Sequence, residues 1–216
     1  VVFTAPHNSD GLTYHLARVA YYLQHNNLNS FDADYWAQVI HPKNPTLLLL
    51  YTYLVSGRNE NLTQLVQFIS YWVAICAVYG ISRKAGNSKT GSLFAAMISA
   101  LLTEWLMQAT TVQNDIITTA YFGSIVYFLF AFREKHERKY LVLTALGIGL
   151  AIGTKTATIL SMLPVALIVL YSLFQSRARL QSQLNNLAVF AAGTLLAVCI
   201  FALPSGYLEN YRIYGN

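Results

Sequence analysis

Charge is scarce in this sequence. Asp, Glu, Lys and Arg make up 11% of its 216 residues, while 55% are hydrophobic. A soluble domain carries about a quarter charged residues. Half that share leaves too little polar side chain to wet a globule's surface, so a soluble domain is excluded and lipid is the simplest cover. Cysteine is nearly absent. Cys76 and Cys199 each sit inside an apolar run with no CxxC or neighbouring His. They are expected as small apolar packing residues, with no disulfide framework or zinc site. No repeat of fixed period and no low-complexity segment is visible. There is no signal-peptide pattern of basic region, apolar stretch and small-residue cleavage site. The chain opens on Val1-Val2-Phe3 instead of Met and stops at Gly215-Asn216 with no closing element, as expected for a piece of a longer protein.

What the sequence has is long apolar runs. A bilayer span needs roughly 20 apolar residues, within about 17 to 25. Six runs are candidates: Leu62–Ser82, Gly91–Val112, Ile116–Phe132, Tyr140–Thr154, Ala157–Phe174 and Leu187–Pro204. The fourth is short and spans only if Lys139 and Lys155 extend outward from its ends. Thr46–Val55 is shorter still. It follows Pro42 and Pro45 and precedes Gly57, so a half-inserted helix is predicted there. The fold class expected is all-α: a polytopic transmembrane bundle, residues 61–216, joined to an outer-face segment, residues 1–60.

The basic residues give the bundle a direction. Arg83, Lys84 and Lys89 follow the first span. Arg133, Lys135, Arg138 and Lys139 follow the third, and Arg177 and Arg179 the fifth. Nine of the 14 Lys and Arg thus fall in three short loops on one side, the cytoplasmic side by the positive-inside rule. The net charge of +5 therefore records topology, and no nucleic-acid partner is expected. Residues 1–60, the Gln113-Asn114-Asp115 turn and Lys155 lie on the opposite side.

The outer segment is the polar part of the chain and holds His7, His15, His25 and His41. Asn8-Ser9-Asp10 has the composition of a helix start. Leu12, Leu16, Val19 and Leu23 then recur at helical spacing, which predicts an amphipathic interfacial helix over residues 10–25. Such a helix places Asp10 near headgroup level, with Tyr14 on the same face and Arg18 beside it. A carboxylate there can act as a general base toward a hydroxyl, or can simply cap the helix. Asp115 lies on the same side, in a turn that favours Asn and Asp in any case. Lys43, in Pro42-Lys43-Asn44-Pro45, sits where a lipid phosphate would lie. Lys155, in Gly153-Thr154-Lys155-Thr156, is either a helix-end lysine or a contact for an anionic group. The glycines of a nucleotide-binding loop are missing around it. Glu104 is the one acid well inside an apolar run, which makes it a candidate for a polar cavity.

The order of these pieces resembles that of the membrane-embedded GT-C glycosyltransferases, in the branch of dolichyl-phosphate-mannose protein mannosyltransferases and bacterial aminoarabinose transferases. The likeness rests on Pro6-His7-Asn8-Ser9-Asp10-Gly11-Leu12-Thr13-Tyr14-His15-Leu16-Ala17-Arg18-Val19, which follows a Pro-x-Asn-x-Asp-x-x-Thr-Tyr-His-x-x-Arg-Val pattern. The Gln113-Asn114-Asp115 turn and the Gly-Leu-Ala-Ile-Gly-Thr-Lys run at residues 149–155 also match. The chain departs from the family at Pro42-Lys43-Asn44-Pro45, where a Pro-Pro or Lys-Pro-Pro pattern is usual, and it would be the N-terminal part of such an enzyme without its first span.

The resemblance implies transfer of a sugar from a polyprenyl-phosphate donor to a lipid, glycan or protein acceptor, with inversion. It implies a bacterial inner-membrane location with the active site facing outward. Asp10 would be the base. Arg18, Lys43 and Lys155 would stabilise the leaving phosphate. Asp115 would orient acceptor or sugar, and Tyr14, His15 and Asn114 would contact substrate. Where family members use a divalent metal, Asp10 and Asp115 would hold it. The competing class is a transporter or lipid flippase. Transporters often show internal repeats and mid-membrane broken helices; here no repeat is visible and the charges gather at one face.

Overall fold

The computed structural model describes residues 2–174 and 179–215. Among these residues the structure is helical with no strand. A π-helical turn, Gly11–His15, leads into α1 (Leu16–His25). Then come α2 (Ala37–Ile40), α3 (Asn44–Val55), α4 (Leu65–Lys84), α5 (Lys89–Ala100), α6 (Thr103–Gln108), α7 (Asp115–Lys135), α8 (Arg138–Ile152), α9 (Met162–Phe174), α10 (Leu180–Ala197) and α11 (Tyr207–Tyr214).

Four helical stretches are long and apolar enough to cross a membrane: Glu60–Lys84, Asp115–Lys135, Thr156–Phe174 and Leu180–Ser205. The chain is a multi-pass membrane protein. α4 packs along α7, α7 along α8, and α8 along α10, with α5 against α4. One core joins Ile125, Leu129 and Phe132 of α7 to Leu141 of α8 and Val169 and Leu173 of α9. With lipid as solvent, close backbone approach and packing replace the hydrophobic drive between helices. Gly149 shows this: a Cβ there would lie 2.6 Å from the Ala197 backbone, so α8 and α10 touch only because the side chain is missing. Leu160, Leu163 and Leu167 point outward, as residues facing acyl chains do. Cys76 and Cys199, expected as packing residues, are both free and exposed on the bundle's exterior.

The second expected span, 91–112, is not one helix. α5 stops at Ala100, Leu102 turns to extended backbone, and α6 follows. The carbonyl of Ala100, left without a helical partner, accepts the Tyr71 hydroxyl at 2.7 Å. Glu104 is consequently not in the interior of a span. It is exposed in the first turn of α6 and accepts the Gln108 amide at 3.0 Å. The fourth, α8, has 15 residues, roughly 22 Å at 1.5 Å per residue. It is shorter than a bilayer core of about 30 Å, and its flanks are covered by α7 and α10.

α7 sets the two ends of the molecule. Its 21 residues extend about 31 Å from Asp115 to Lys135. At the Lys135 end, Lys84 pairs with Glu134 and Arg138 donates to Asn186. Arg177 lies outside the described residues. Asn8 and Asp10 meet the chain at the Asp115 end.

Candidate active site

The first site element is the turn that leads into α1. Of the two readings of Asp10, cap or free carboxylate, the cap does not form: Asp10 has helical backbone angles, and its carboxylate makes no capping bond. The turn is π-helical, with the Leu16 amide donating to the Gly11 carbonyl. The extra residue per turn shifts the face, which explains one departure from the expected stripe. Leu16, Val19 and Leu23 pack on Leu49, Leu50 and Val112, whereas Leu12 is left outside. The same shift turns Tyr14, His15 and Arg18 inward, all buried.

Gly11 is required for where this turn sits. A Cβ on it would stand 2.3 Å from Val112 Cγ2 and 2.6 Å from Asn8 Oδ1. That contact brings the 8–11 segment against the turn before α7. The Val112 amide donates to Asn8 Oδ1 at 3.3 Å. Gln113 Nε2 donates to Asp10 Oδ2 at 3.4 Å. Asn114 Nδ2 donates to the Thr154 carbonyl at 3.2 Å, and Asp115 forms an ion pair with Lys155. Four consecutive residues, 112 to 115, therefore gather Asn8, Asp10 and the 154–155 turn at the N-terminus of α7. Asp115 and Lys155 are 41% and 39% exposed, so a ligand can reach them.

The histidines close the other flank. The Tyr14 and His41 rings are 5.2 Å apart, as are those of Trp36 and His41. Burial, then the charges of Asp10 and Asp115, hold the Tyr14 phenol protonated well above its usual range. Burial, then Arg18, His41 and Lys155, pull His15 down to about 3. His41 is lowered by burial, Arg18 and Lys155, with Asp10 acting in the opposite direction. Both imidazoles are thus neutral donor–acceptors near pH 7. His15 Nδ1 lies 3.5 Å from Thr46 Oγ1, and its Nε2 is buried with no hydrogen-bond partner.

Two of the expected phosphate cations have other occupations. Arg18 is 1% exposed. Its Nε donates to Gln38 O at 2.7 Å, Nη2 to Ala37 O at 3.1 Å and Nη1 to Pro42 O at 3.3 Å. Lys43 is paired with Glu209 and donates to Leu28 O at 3.4 Å. The structure therefore brings together Asp10, Tyr14, His15, Asn114, Asp115 and Lys155, while Arg18 and Lys43 anchor the loop beside them. Gln113, Asn8 and Glu209 are the parts that sequence reasoning did not single out. Asn8 and Gln113 stood inside quoted motifs. Glu209 had one signal: it is the only acid after residue 137.

No cluster of three or more His, Cys, Asp or Glu occurs among the described residues. A divalent metal here would have Asp10 and Asp115 as its carboxylates, the second already paired with Lys155, and water and donor phosphate would supply the remaining oxygens.

Asp10, the Asp115–Lys155 pair and two neutral imidazoles thus lie near one end of a bundle of membrane helices. Residues 41–204 match the family of dolichyl-phosphate-mannose-protein mannosyltransferases, and the chain belongs to that family. It is thereby a membrane glycosyltransferase, acting on a lipid-linked sugar donor and an acceptor. The matched region contains Asp115 and Lys155, whereas Asp10 lies before it. No curated protein and no solved structure matches the chain.

Proposed function

We propose that the protein transfers a sugar from a polyprenyl-phosphate carrier to an acceptor hydroxyl at the outer leaflet of a bacterial inner membrane, with inversion at the anomeric carbon. Residues 1–60 form the outer part over a bundle made by residues 61–216. The observation that carries this reading is the gathering of Asp10, Asp115 and Lys155 within one polar cluster at one end of α7.

In the transfer step Asp10 accepts the proton of the acceptor hydroxyl. That oxygen attacks the anomeric carbon from the side opposite the lipid phosphate. The carbon–oxygen bond to the phosphate breaks, and its electron pair stays on the phosphate. Lys155 is the cation best exposed to meet that developing charge. Lys43 would serve only after leaving Glu209, and Arg18 serves by holding the 37–42 loop. Asp115 and Asn114 position Lys155 and the sugar, and the protonated Tyr14 and neutral His15 supply uncharged hydrogen-bonding groups. No step runs through a metal.

The test is Asp10→Asn in the full-length protein, assayed with a polyprenyl-phosphate sugar. General-base catalysis contributes about 10²–10⁴-fold, so a loss of that order is expected. Transfer at the wild-type rate would remove Asp10 from the mechanism.

A further inference from the structure

α11 carries Tyr207, Tyr211 and Tyr214 on one face, spaced four and three residues apart. The helix is fastened to its neighbours by three side chains. Glu209 pairs with Lys43, Asn210 Nδ2 donates to Ile40 O at 2.8 Å, and the Tyr207 hydroxyl donates to Ile152 O at 2.9 Å. Between the tyrosine face, Ile40 and Thr156 lies a cavity of about 680 Å³. A second cavity of about 550 Å³ shares Tyr214 in its wall and reaches Tyr35, Asp32, Asp34 and Gln38. Its aromatic side is stiffened by Tyr21 stacked on Phe31, ring centroids 3.6 Å apart. Gln38 fixes it to the catalytic turn by donating to Thr13 O at 2.7 Å. Thr156, which lines the first cavity, is the neighbour of Lys155.

The chemistry of this wall is specific. Asp32 and Asp34 are exposed and form no ion pair among the described residues. Two free carboxylates repel a lipid phosphate and give nothing to an isoprenoid chain. Exposed tyrosine faces beside carboxylate acceptors suit a ligand with an apolar face and a rim of hydroxyl donors. A pyranose ring has both: axial C–H bonds cover an aromatic face, and its hydroxyls donate to carboxylates.

We infer that this groove holds the acceptor, and that the acceptor is an oligosaccharide chain. Sugar rings lie on Tyr211 and Tyr214, hydroxyls donate to Asp32 and Asp34, and the chain end points past Thr156 to the Asp115–Lys155 pair. This rests on the sugar-transfer reading above and names its acceptor class.

Saturation-transfer NMR on the full-length protein in phosphatidylcholine/phosphatidylglycerol nanodiscs tests it, with mannotetraose, chitotetraose and a Ser/Thr-rich peptide as probes. At least one tetrasaccharide is expected to bind. The Tyr211→Ala/Tyr214→Ala pair should weaken it about tenfold, Tyr211→Phe/Tyr214→Phe should keep it, and Asp32→Asn/Asp34→Asn should weaken it. Both tyrosines are exposed, so truncation leaves the fold intact. Binding of neither saccharide, binding indifferent to the alanine pair, or binding of the peptide alone overturns the proposal. The transfer rate of Asp10→Asn judges the general base separately, so the two ideas fail by different measurements.

Discussion

Arg18 is where the structure makes its sharpest energetic demand. A guanidinium at 1% exposure survives only because three carbonyls, of Ala37, Gln38 and Pro42, accept from it. Arg18→Met removes the charge, with its desolvation cost, and leaves three carbonyls without a donor. At about 1–3 kcal/mol per buried acceptor left unpaired, and with partial relaxation of the loop, the loss is about 3–6 kcal/mol. Arg18→Lys keeps the charge but can reach one carbonyl of the three, because the planar fork is gone. It should lose about two-thirds as much, about 2–4 kcal/mol, by the same count. Hydrogen exchange followed by mass spectrometry reads this directly. Amides of residues 37–43 in the full-length protein should exchange at least a hundredfold faster in Arg18→Met, while those of α7 and α8 hold. A change below tenfold in that loop, about 1.4 kcal/mol, would refute the idea that Arg18 anchors it.

The buried His15 should make the fold acid-sensitive. Its pKa is lowered in the folded protein to about 3, so the unfolded chain binds the proton first. The stability it permits is complete above the unfolded value near 6.5 and is lost as pH falls from there toward 3. His41, lowered in the same sense, adds to that loss, so thermal unfolding of His15→Gln and His41→Gln against pH should each remove part of the slope. The Asp115–Lys155 pair is two-fifths exposed, so Lys155→Met should change thermal stability by less than about 1 kcal/mol while lowering sugar transfer a hundredfold or more; parallel losses would make Lys155 structural only. Gly149→Ala should destabilise by about 1–3 kcal/mol through overpacking, because the added carbon meets Ala197 backbone. Gly11→Ala should do the same at the site, where Val112 and Asn8 stand in the way, and a thermal midpoint unchanged in both would disprove these close contacts.

The bundle was legible because its signals are additive along the chain. Apolar length marks a span whatever its neighbours do, and α4, α7, α9 and α10 appear where the runs stand. The 91–112 run misled because hydropathy does not record the extended backbone at Leu102 or the Tyr71 hydroxyl that captures Ala100. Leu12 misled for a related reason. Helical spacing assumes 3.6 residues per turn, and the π turn at Gly11–His15 breaks that count. Asp10, Asp115 and Lys155 were legible as chemistry, and the charge rule assigned them to one side. Their mutual approach was not legible, since it depends on Gln113 and on the missing side chain of Gly11. Arg18 and Lys43 show the limit of reading charge as function: a cation in a motif can equally be the bolt of a loop, and only its acceptors tell which.

The way these parts are joined bears on how the site would work. Asp10 stands at the start of the turn before α1, Lys155 on the turn after α8, and Asp115 is the first residue of α7. None of the three is held by its own element alone. Side chains and amides of residues 112–115 reach both ways, to Asn8 and Asp10 on one side and to Thr154 and Lys155 on the other. The contacts to Asp10 and Thr154 are long, at 3.4 and 3.2 Å, and the carboxylates are open to solvent. The positive end of the α7 dipole lies at the same place and favours anions there. A phosphate entering beside Lys155 would compete with Asp115 for one ammonium. Asp115 would then be freed toward the sugar hydroxyls as the leaving group arrives. Donor binding would thus act on the same four residues that hold Asp10 in place.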